Sequence, residues 1–501
     1  MRLRLSLIAV LLGLVAPVAV AQANEGNGLA VTDPGVLRAL ETRGFGLAQL
    51  LDPARTTPIP SDALFALPAM TPVRAALDDA FARYLADHQK RQPRVRIGVG
   101  PGHDVQLFDQ AMLTSPDARF ALAGIVSRMD RAYVTPDTCG EIRLIYRLTR
   151  TAAGIAPPRL PMTLNLVLRA KDPHDASVTC ADLAGRWLDS AAFTETGAAR
   201  ADRLLKPDGP LATITAAQID RIETNLQIAH RPKSDTQEFR TDYLQKVFRF
   251  DASAKQFREA PMENQIDRDR LLADAALGNA FRDWLLAPNN LRSFDRGTVL
   301  IPEKFLAISS LSSTPVGFAP SALQPEFGLI DSKGRGVFSE RDVVAALERA
   351  VAQGGALENI RSPAGFARRL NDITCGGCHQ IRGIGGFHFP GADTLAEQSQ
   401  GTVPASPHFI GDQPRRRDIV MAIRDGKAPD FSRGFSDRPQ MRGNNELAGS
   451  PLLDGWGATC YRPKQNGVAD ESFASWTCAE GLACQQVGAD ASSAIGMCFV
   501  K

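Results

Sequence analysis

Residues 141–149 read EIRLIYRLT. Ile142, Leu144 and Tyr146 fall on one side of an extended chain, and Arg143, Ile145 and Arg147 on the other. Side chains of a strand alternate, so the run predicts a sheet strand with one apolar face and one partly covered face. Similar signals lie upstream at Arg94–Val99 and downstream at Leu160–Leu168, Ile222–His230 and Asp242–Phe250. Between them, Val73–His88 and Cys180–Ala192 carry apolar residues at helical spacing. The strand-and-helix pattern therefore predicts a mixed α/β domain over residues 71–329. Its last element is Arg268–Ala287 (RDRLLADAALGNAFRDWLLA), which reads as one amphipathic helix.

Beyond this domain the pattern turns helical. Ser339–Gln353 has Ser339 as N-cap and Asp342 three residues on, a capping-box arrangement. Ala364–Asp372 is a shorter helix. Pro414–Asp425 places Pro414 in a first turn and Gly426 at the stop. The expected fold class is α+β and multidomain. Its parts are a 1–21 leader, an irregular 22–70 arm with a short helix near Val36–Leu51, the 71–329 domain, a mostly helical unit at 330–450 and a Cys-rich module at 451–501.

The leader, MRLRLSLIAVLLGLVAPVAVA, has a basic start, an apolar run over residues 7–16 and an Ala19-Val20-Ala21 cleavage pattern. It reads as a secretory signal peptide, so the mature chain is expected in the periplasm or outside the cell, where disulfides persist. The chain has 57 basic and 55 acidic residues. Arg2 and Arg4 lie in the leader, which has no acids, leaving 55 against 55 afterwards. Such balance excludes a nucleic-acid binder that works by bulk charge. No later stretch is apolar enough to span a bilayer, so no stable membrane insertion is expected after cleavage.

The sharpest motif is TCGGCHQ at residues 374–380. Cys375, Cys378 and His379 make C-x-x-C-H, the pattern of covalent haem attachment. Two thiols three positions apart reach two vinyl groups on one side of a porphyrin, and the next imidazole meets the iron. With 8 Cys and 7 His in 501 residues, chance predicts on the order of 0.002 such matches per chain. Two other readings of the cysteine pair stay open: a redox disulfide, and a zinc site with His379.

Over roughly residues 330–450 the chain resembles c-type cytochromes: the attachment motif is specific and a helix precedes it. The resemblance implies haem c as cofactor, Cys375 and Cys378 as its covalent anchors and His379 as axial ligand. Pro390 is placed to supply a neighbouring carbonyl to the other imidazole nitrogen. Distal candidates are Met441, His388, His408 and Met421, although Met421 within DIVMAIRDG reads first as helix core. An open distal position is the remaining option. The implied partners are the haem-maturation machinery and a redox protein.

The remaining six cysteines form an even set. Cys139 and Cys180 stand alone in the 71–329 domain and are expected to pair. Cys460, Cys478, Cys484 and Cys498 crowd the C-terminus, and their three possible pairings stay open. They read as a small stapled module, a structural cap or a binding unit for a partner or polysaccharide. DSKGRGVFSERD (331–342) has an EF-hand skeleton, but Lys333 and Arg335 stand where calcium ligands belong. GVGPGH (98–103) lacks the dinucleotide-binding spacing. Arg415, Arg416 and Arg417 are expected on a solvated helix face. Three functional classes follow: an exported mono-haem electron carrier, a haem enzyme of peroxidase or oxidase type with an open distal site, and a secreted binding or hydrolytic protein with an accessory haem or redox unit.

Overall fold

The computed structural model describes residues 28–151, 159–172, 174–175, 177–231, 241–314, 336–376, 407–435, 459–461, 471–474, 476–478, 480–485 and 495–501. The chain is mixed α/β and centred on one large, mostly antiparallel sheet. Its strands are β1 (Ala30–Val31), β2 (Ile97–Gly98), β3 (Val105–Leu107), β4 (Ala118–Arg128), β5 (Glu141–Arg150), β6 (Arg159–Arg169), β7 (Ile219–His230), β8 (Thr241–Asp251), β9 (Gln256–Ala260) and β10 (Ser309–Thr314). The order runs β1-β4-β5-β6-β7-β3-β2, with β8 also on β7 and flanked by β9 and β10. Among the described strand pairs only the short β2–β3 pair is parallel.

The alternation in 141–149 puts Ile142, Leu144 and Tyr146 into the principal core, all fully buried. The 21-residue helix Thr71–Arg91 adds Val73, Leu77, Phe81 and Tyr84 to that core. The segment expected as an arm does not stand apart. Leu29, Val36, Leu40, Phe45 and Leu47 lie in the same core, β1 pairs with β4, and the Tyr146 hydroxyl donates to the Phe45 carbonyl at 2.7 Å. The Cys139–Cys180 disulfide is formed. Cys139 sits in the left-handed region, and Gly140 follows with φ +89°, where a Cβ would come within 2.6 Å of the Arg128 carbonyl.

Three expectations shift. The strand at 94–99 shortens to β2, two residues long, because a turn and bend occupy residues 93–95 and the chain bends again at Val99 and Gly100. The helix Arg268–Ala287 divides into Arg268–Ala273 and Ala275–Leu285. Asp274 turns extended between them and its carboxylate accepts from the Ala276 and Leu277 amides, so an Asp inside the apolar period acts as a cap. The helix expected to begin at Pro414 runs from Pro407 to Arg424, with Pro414 exposed inside it and one backbone hydrogen bond forgone. The capping box at Ser339 and Asp342 is present.

The mostly helical unit expected at 330–450 is not what the described residues support. Glu340–Ala352 and Pro363–Asp372 bury Val343, Ala346, Phe366 and Leu370 against Phe281, Leu285, Phe294 and Phe305, in a core shared with residues before position 330. Pro407–Arg424 lies instead on the helix Cys180–Asp189, and its Val420 belongs to the principal core. At the C-terminus, β11 (Thr459–Tyr461), β12 (Leu482–Gln485) and β13 (Ile495–Val500) form a three-stranded sheet in the order β11-β13-β12. It is stapled by Cys460–Cys484 and Cys478–Cys498. No described helix is long and apolar enough to cross a membrane.

Candidate functional site

Helix Pro363–Asp372 delivers the motif. Ser362 caps it by accepting from the Gly365 amide at 3.0 Å, Pro363 opens the first turn, and the Phe366 ring meets Phe294 and Phe338, each at 5.1 Å between centroids. After the helix ends, the Thr374 hydroxyl donates to the Asn371 carbonyl at 3.1 Å. The chain then sets Cys375 against Val247 of β8, Ala260 of β9 and Met262. The Gly376 amide donates to Gln265 Oε1 at 2.9 Å. A Cβ on Gly376 would lie 3.1 Å from Ser310 Oγ, so the backbone approaches β10 closely.

Cys375 is in no disulfide, whereas Cys139, Cys180, Cys460, Cys478, Cys484 and Cys498 are all paired. Burial pushes its thiol up to about 12, with Glu223 and Glu263 adding to the shift. The thiol is therefore protonated at neutral pH, unlike the thiolate that disulfide exchange or zinc binding requires. The sulfurs of Cys460, Cys478 and Cys498 lie within 4.8 Å of one another, but disulfides hold them all.

Away from Val247 and Ala260, the second face of the sheet is mostly polar. Pairing register sets Thr163, Asn225, Gln245 and Ser310 in one row, and Asn165, Glu223, Val247 and Ala260 in the next. Ser310 and Ser312 hydroxyls are 3.0 Å apart, and the Ser312 hydroxyl donates to Gln245 Oε1 at 3.2 Å. Asn165 Oδ1, Asn225 Oδ1 and Gln245 Nε2 have no hydrogen-bond partner among the described residues.

A buried ionic row continues from this face. Arg143 bonds Glu141 at 3.1 Å and Glu223 at 3.0 Å; Arg221 bonds both at 2.8 Å; Arg131 bonds Glu141 at 3.1 Å and also Glu263. Burial works against the charge on Glu141, but Arg131, Arg221 and Arg143 hold its carboxyl well below the usual range. Arg143, expected on a partly covered face, is thus buried among carboxylates.

The other expected residues divide. Cys378, His379, His388, Pro390 and Met441 lie outside the described residues. His408 is in helix Pro407–Arg424. Met421 packs on the principal core, as helix core rather than toward the motif. Arg415 and Arg416 do not form a solvated face. They ion-pair with Asp130 and Asp412, and Arg416 is almost fully buried.

The motif helix is clamped from its far side by the C-terminal module. The Arg368 guanidinium lies over Phe435 at 4.3 Å, Trp476 at 4.8 Å and Phe473 at 5.5 Å. Beside it Asp372 is buried 3.7 Å from Arg368 Nε, with no hydrogen bond to either oxygen among the described residues. The aromatic side chains of the module are engaged in this contact, which favours a structural cap. Sequence reasoning missed Arg368 because only the fold brings residues 435, 473 and 476 to it. Comparison with protein families, curated proteins and solved structures returns no match, so the site is read from its own chemistry.

Proposed function

We propose that the chain is an exported mono-haem c-type cytochrome-like protein that carries electrons. Haem would be held covalently by Cys375 and Cys378, with His379 on the iron and the distal position taken from Met441, His388 or His408. The observation that carries the reading is the state of Cys375: the one free cysteine among the described residues, set against Val247, Ala260 and Met262. The surroundings of Cys375 suit a thioether. A thioether sulfur is uncharged and suits an apolar niche, whereas a reactive thiolate does not. The three disulfides suit an oxidising compartment.

When bound, the haem iron would supply one-electron transfer between ferric and ferrous states. The chain's own residues do the rest. The helix Pro363–Asp372 fixes where the motif begins, and the Gly376 amide bond to Gln265 ties its backbone to the sheet. Val247, Ala260 and Met262 pack against the half-buried Cys375, while the Arg143–Glu223 pair sets the charge nearby.

The test is production of the whole chain in an exporting, haem-maturing host. The expected result is haem staining after denaturing electrophoresis and an α-band on reduction, both lost in Cys375→Ala/Cys378→Ala. A wild-type chain without either signal would refute the assignment. Low-temperature electron paramagnetic resonance on Met441→Ala and His388→Ala assigns the distal ligand.

A further inference from the structure

The C-terminal module holds two disulfides side by side. Cys460–Cys484 and Cys478–Cys498 both close within residues 460–498. The sulfurs of Cys460, Cys478 and Cys498 lie within 4.8 Å of one another, so each bridge has a sulfur of the other as a neighbour. Register adds a second proximity: Cys484 on β12 and Cys498 on β13 stand directly opposite each other. Opposed residues have Cβ atoms about 4.5–5.5 Å apart, close to the span of a disulfide. A second pairing, Cys460 with Cys478 and Cys484 with Cys498, therefore lies within reach of the same strands. Cys460 and Cys498 are buried, whereas Cys478 and Cys484 are half-buried, so each bridge has one end toward solvent.

Little apolar burial holds the module. Among the described residues its core is Cys460, Leu482 and Cys498 in one cluster and Trp476 in another. A core of that size needs its bridges to stay folded. The same bridges stand at the base of the grip on the motif helix. Cys460 precedes Tyr461, whose amide donates to the Trp476 carbonyl at 2.9 Å and whose ring stacks on Phe473 at 4.7 Å. Cys478 follows Trp476 by two residues. Phe473 and Trp476 are two of the rings that the Arg368 guanidinium covers. Ser472 approaches the first turn of the helix so closely that a Cβ on Gly365 would come within 2.5 Å of its hydroxyl oxygen.

We propose that the two bridges form a thiol-operated latch on helix Pro363–Asp372. A dithiol reductant opens Cys460–Cys484: its two thiols become a disulfide, and Cys460 and Cys484 become thiols. The Cys460 thiolate then attacks Cys478 Sγ. The Cys460–Cys478 bond forms, the Cys478–Cys498 bond breaks, and Cys498 leaves as a thiolate that takes up the proton Cys460 gave. Cys478 is thereby transferred from β13 to β11, and the Phe473–Trp476 segment is drawn off Arg368. The exchange does not depend on haem attachment. Its effect on the site, a looser hold on the helix that leads into Cys375, rests on the proposed function.

The experiment titrates the whole chain with dithiothreitol near the ordinary thiol value of about 8.5. Thiols are trapped with iodoacetamide, pairings are mapped by mass spectrometry, and hydrogen exchange of helix Pro363–Asp372 is read on the same samples. It uses the haem-loaded chain and the haem-free Cys375→Ser/Cys378→Ser chain, so a failure of haem attachment leaves the second measurement intact. The expected result at partial reduction is a peptide joined through Cys460–Cys478, with amide exchange in the helix about tenfold faster or more, in both forms. Cys484→Ser leaves the Cys460 thiol beside Cys478–Cys498 and should yield the exchanged peptide without reductant. Cys460→Ser/Cys484→Ser removes the attacking thiol and should keep Cys478–Cys498, with helix exchange unmoved by the same low dithiothreitol. Partial reduction that gives only the original pairings and free thiols, in the wild type and in Cys484→Ser, would overturn the proposal. So would exchanged pairings with helix protection unchanged.

Discussion

Replacing Arg368 by Gln tests how the motif helix is held. Arg368 is buried, lies 3.7 Å from buried Asp372, and covers three aromatic rings. Removing one partner of a buried ion pair costs about 3–5 kcal/mol, because the other charge is left without compensation. A desolvated cation over aromatic faces contributes about 2 kcal/mol more, although the two losses overlap. The expected cost of Arg368→Gln is about 4 kcal/mol in equilibrium urea unfolding. Asp372→Asn should cost much less at neutral pH. Burial raises the Asp372 carboxyl, with Arg368 and Arg369 pulling the other way, so its charge is already disfavoured in the fold. The pH dependence has a definite sign. A carboxyl raised in the folded state holds its proton to higher pH than in the unfolded chain. It therefore takes stability away as pH climbs from about 3.9 through the folded value. Asn at 372 abolishes that loss, so Asp372→Asn gains on the wild type as pH rises. In the Arg368→Gln background the gain should be larger and extend to higher pH. If Arg368→Gln costs under about 1 kcal/mol, as an exposed pair would, the clamp is refuted. Equal pH profiles for wild type and Asp372→Asn would refute the titration argument.

Two further outcomes follow from the sheet. Replacing both Cys139 and Cys180 by Ser opens a link of sequence separation 41 and should cost about 4 kcal/mol on the loop-entropy model, read as a lowered urea midpoint without reductant. Lys246 is buried beside Glu259, and burial brings its amine down to about 8, with Arg83 adding to the shift. An amine lowered in the fold sheds its proton early, so stability should rise between about pH 8 and the ordinary lysine value near 10.4. Lys246→Met should flatten that rise in a series of melting temperatures.

The strands β5, β6, β7 and β8 were legible because each carries a period-two apolar row, and Cys139–Cys180 because no other cysteines share their domain. β4 was not, since ARFALAGIVSR is rich in small residues and carries a register shift between Leu122 and Gly124. The division at Asp274 was hidden because the apolar period runs through it while its side chain caps the second half. At the site, C-x-x-C-H was visible as a local pattern. The environment of Cys375 was not, because Val247, Ala260, Met262 and Gln265 precede it by more than a hundred residues. The arginines at 415–416 misled for the same reason. Charge runs usually face solvent, and nothing near them in sequence announces Asp130.

These long-range partners bear on the use of so long a chain around one short motif. If residues 330–450 were an autonomous cytochrome unit, their apolar faces would close on one another. Instead Phe366 and Leu370 close on Phe281 and Phe294, and Val420 closes on the principal core. The turn at 358–360 is held by Asp295, whose carboxylate accepts from the amides of Glu358, Asn359 and Ile360 at 2.8, 2.9 and 2.7 Å. Arg369 donates to the Asp295 carbonyl at 2.7 Å. A fragment of residues 330–450 would expose these apolar side chains, at about 25 cal/mol per Å² of lost burial, and leave Arg369 and Arg416 without Asp295 and Asp130. It should therefore show no cooperative urea transition and no fixed near-ultraviolet circular dichroism, whereas the full chain shows both. A fragment that unfolds cooperatively would make the cytochrome-like stretch a domain in its own right. It would reduce the sheet to a neighbour rather than the wall of the site.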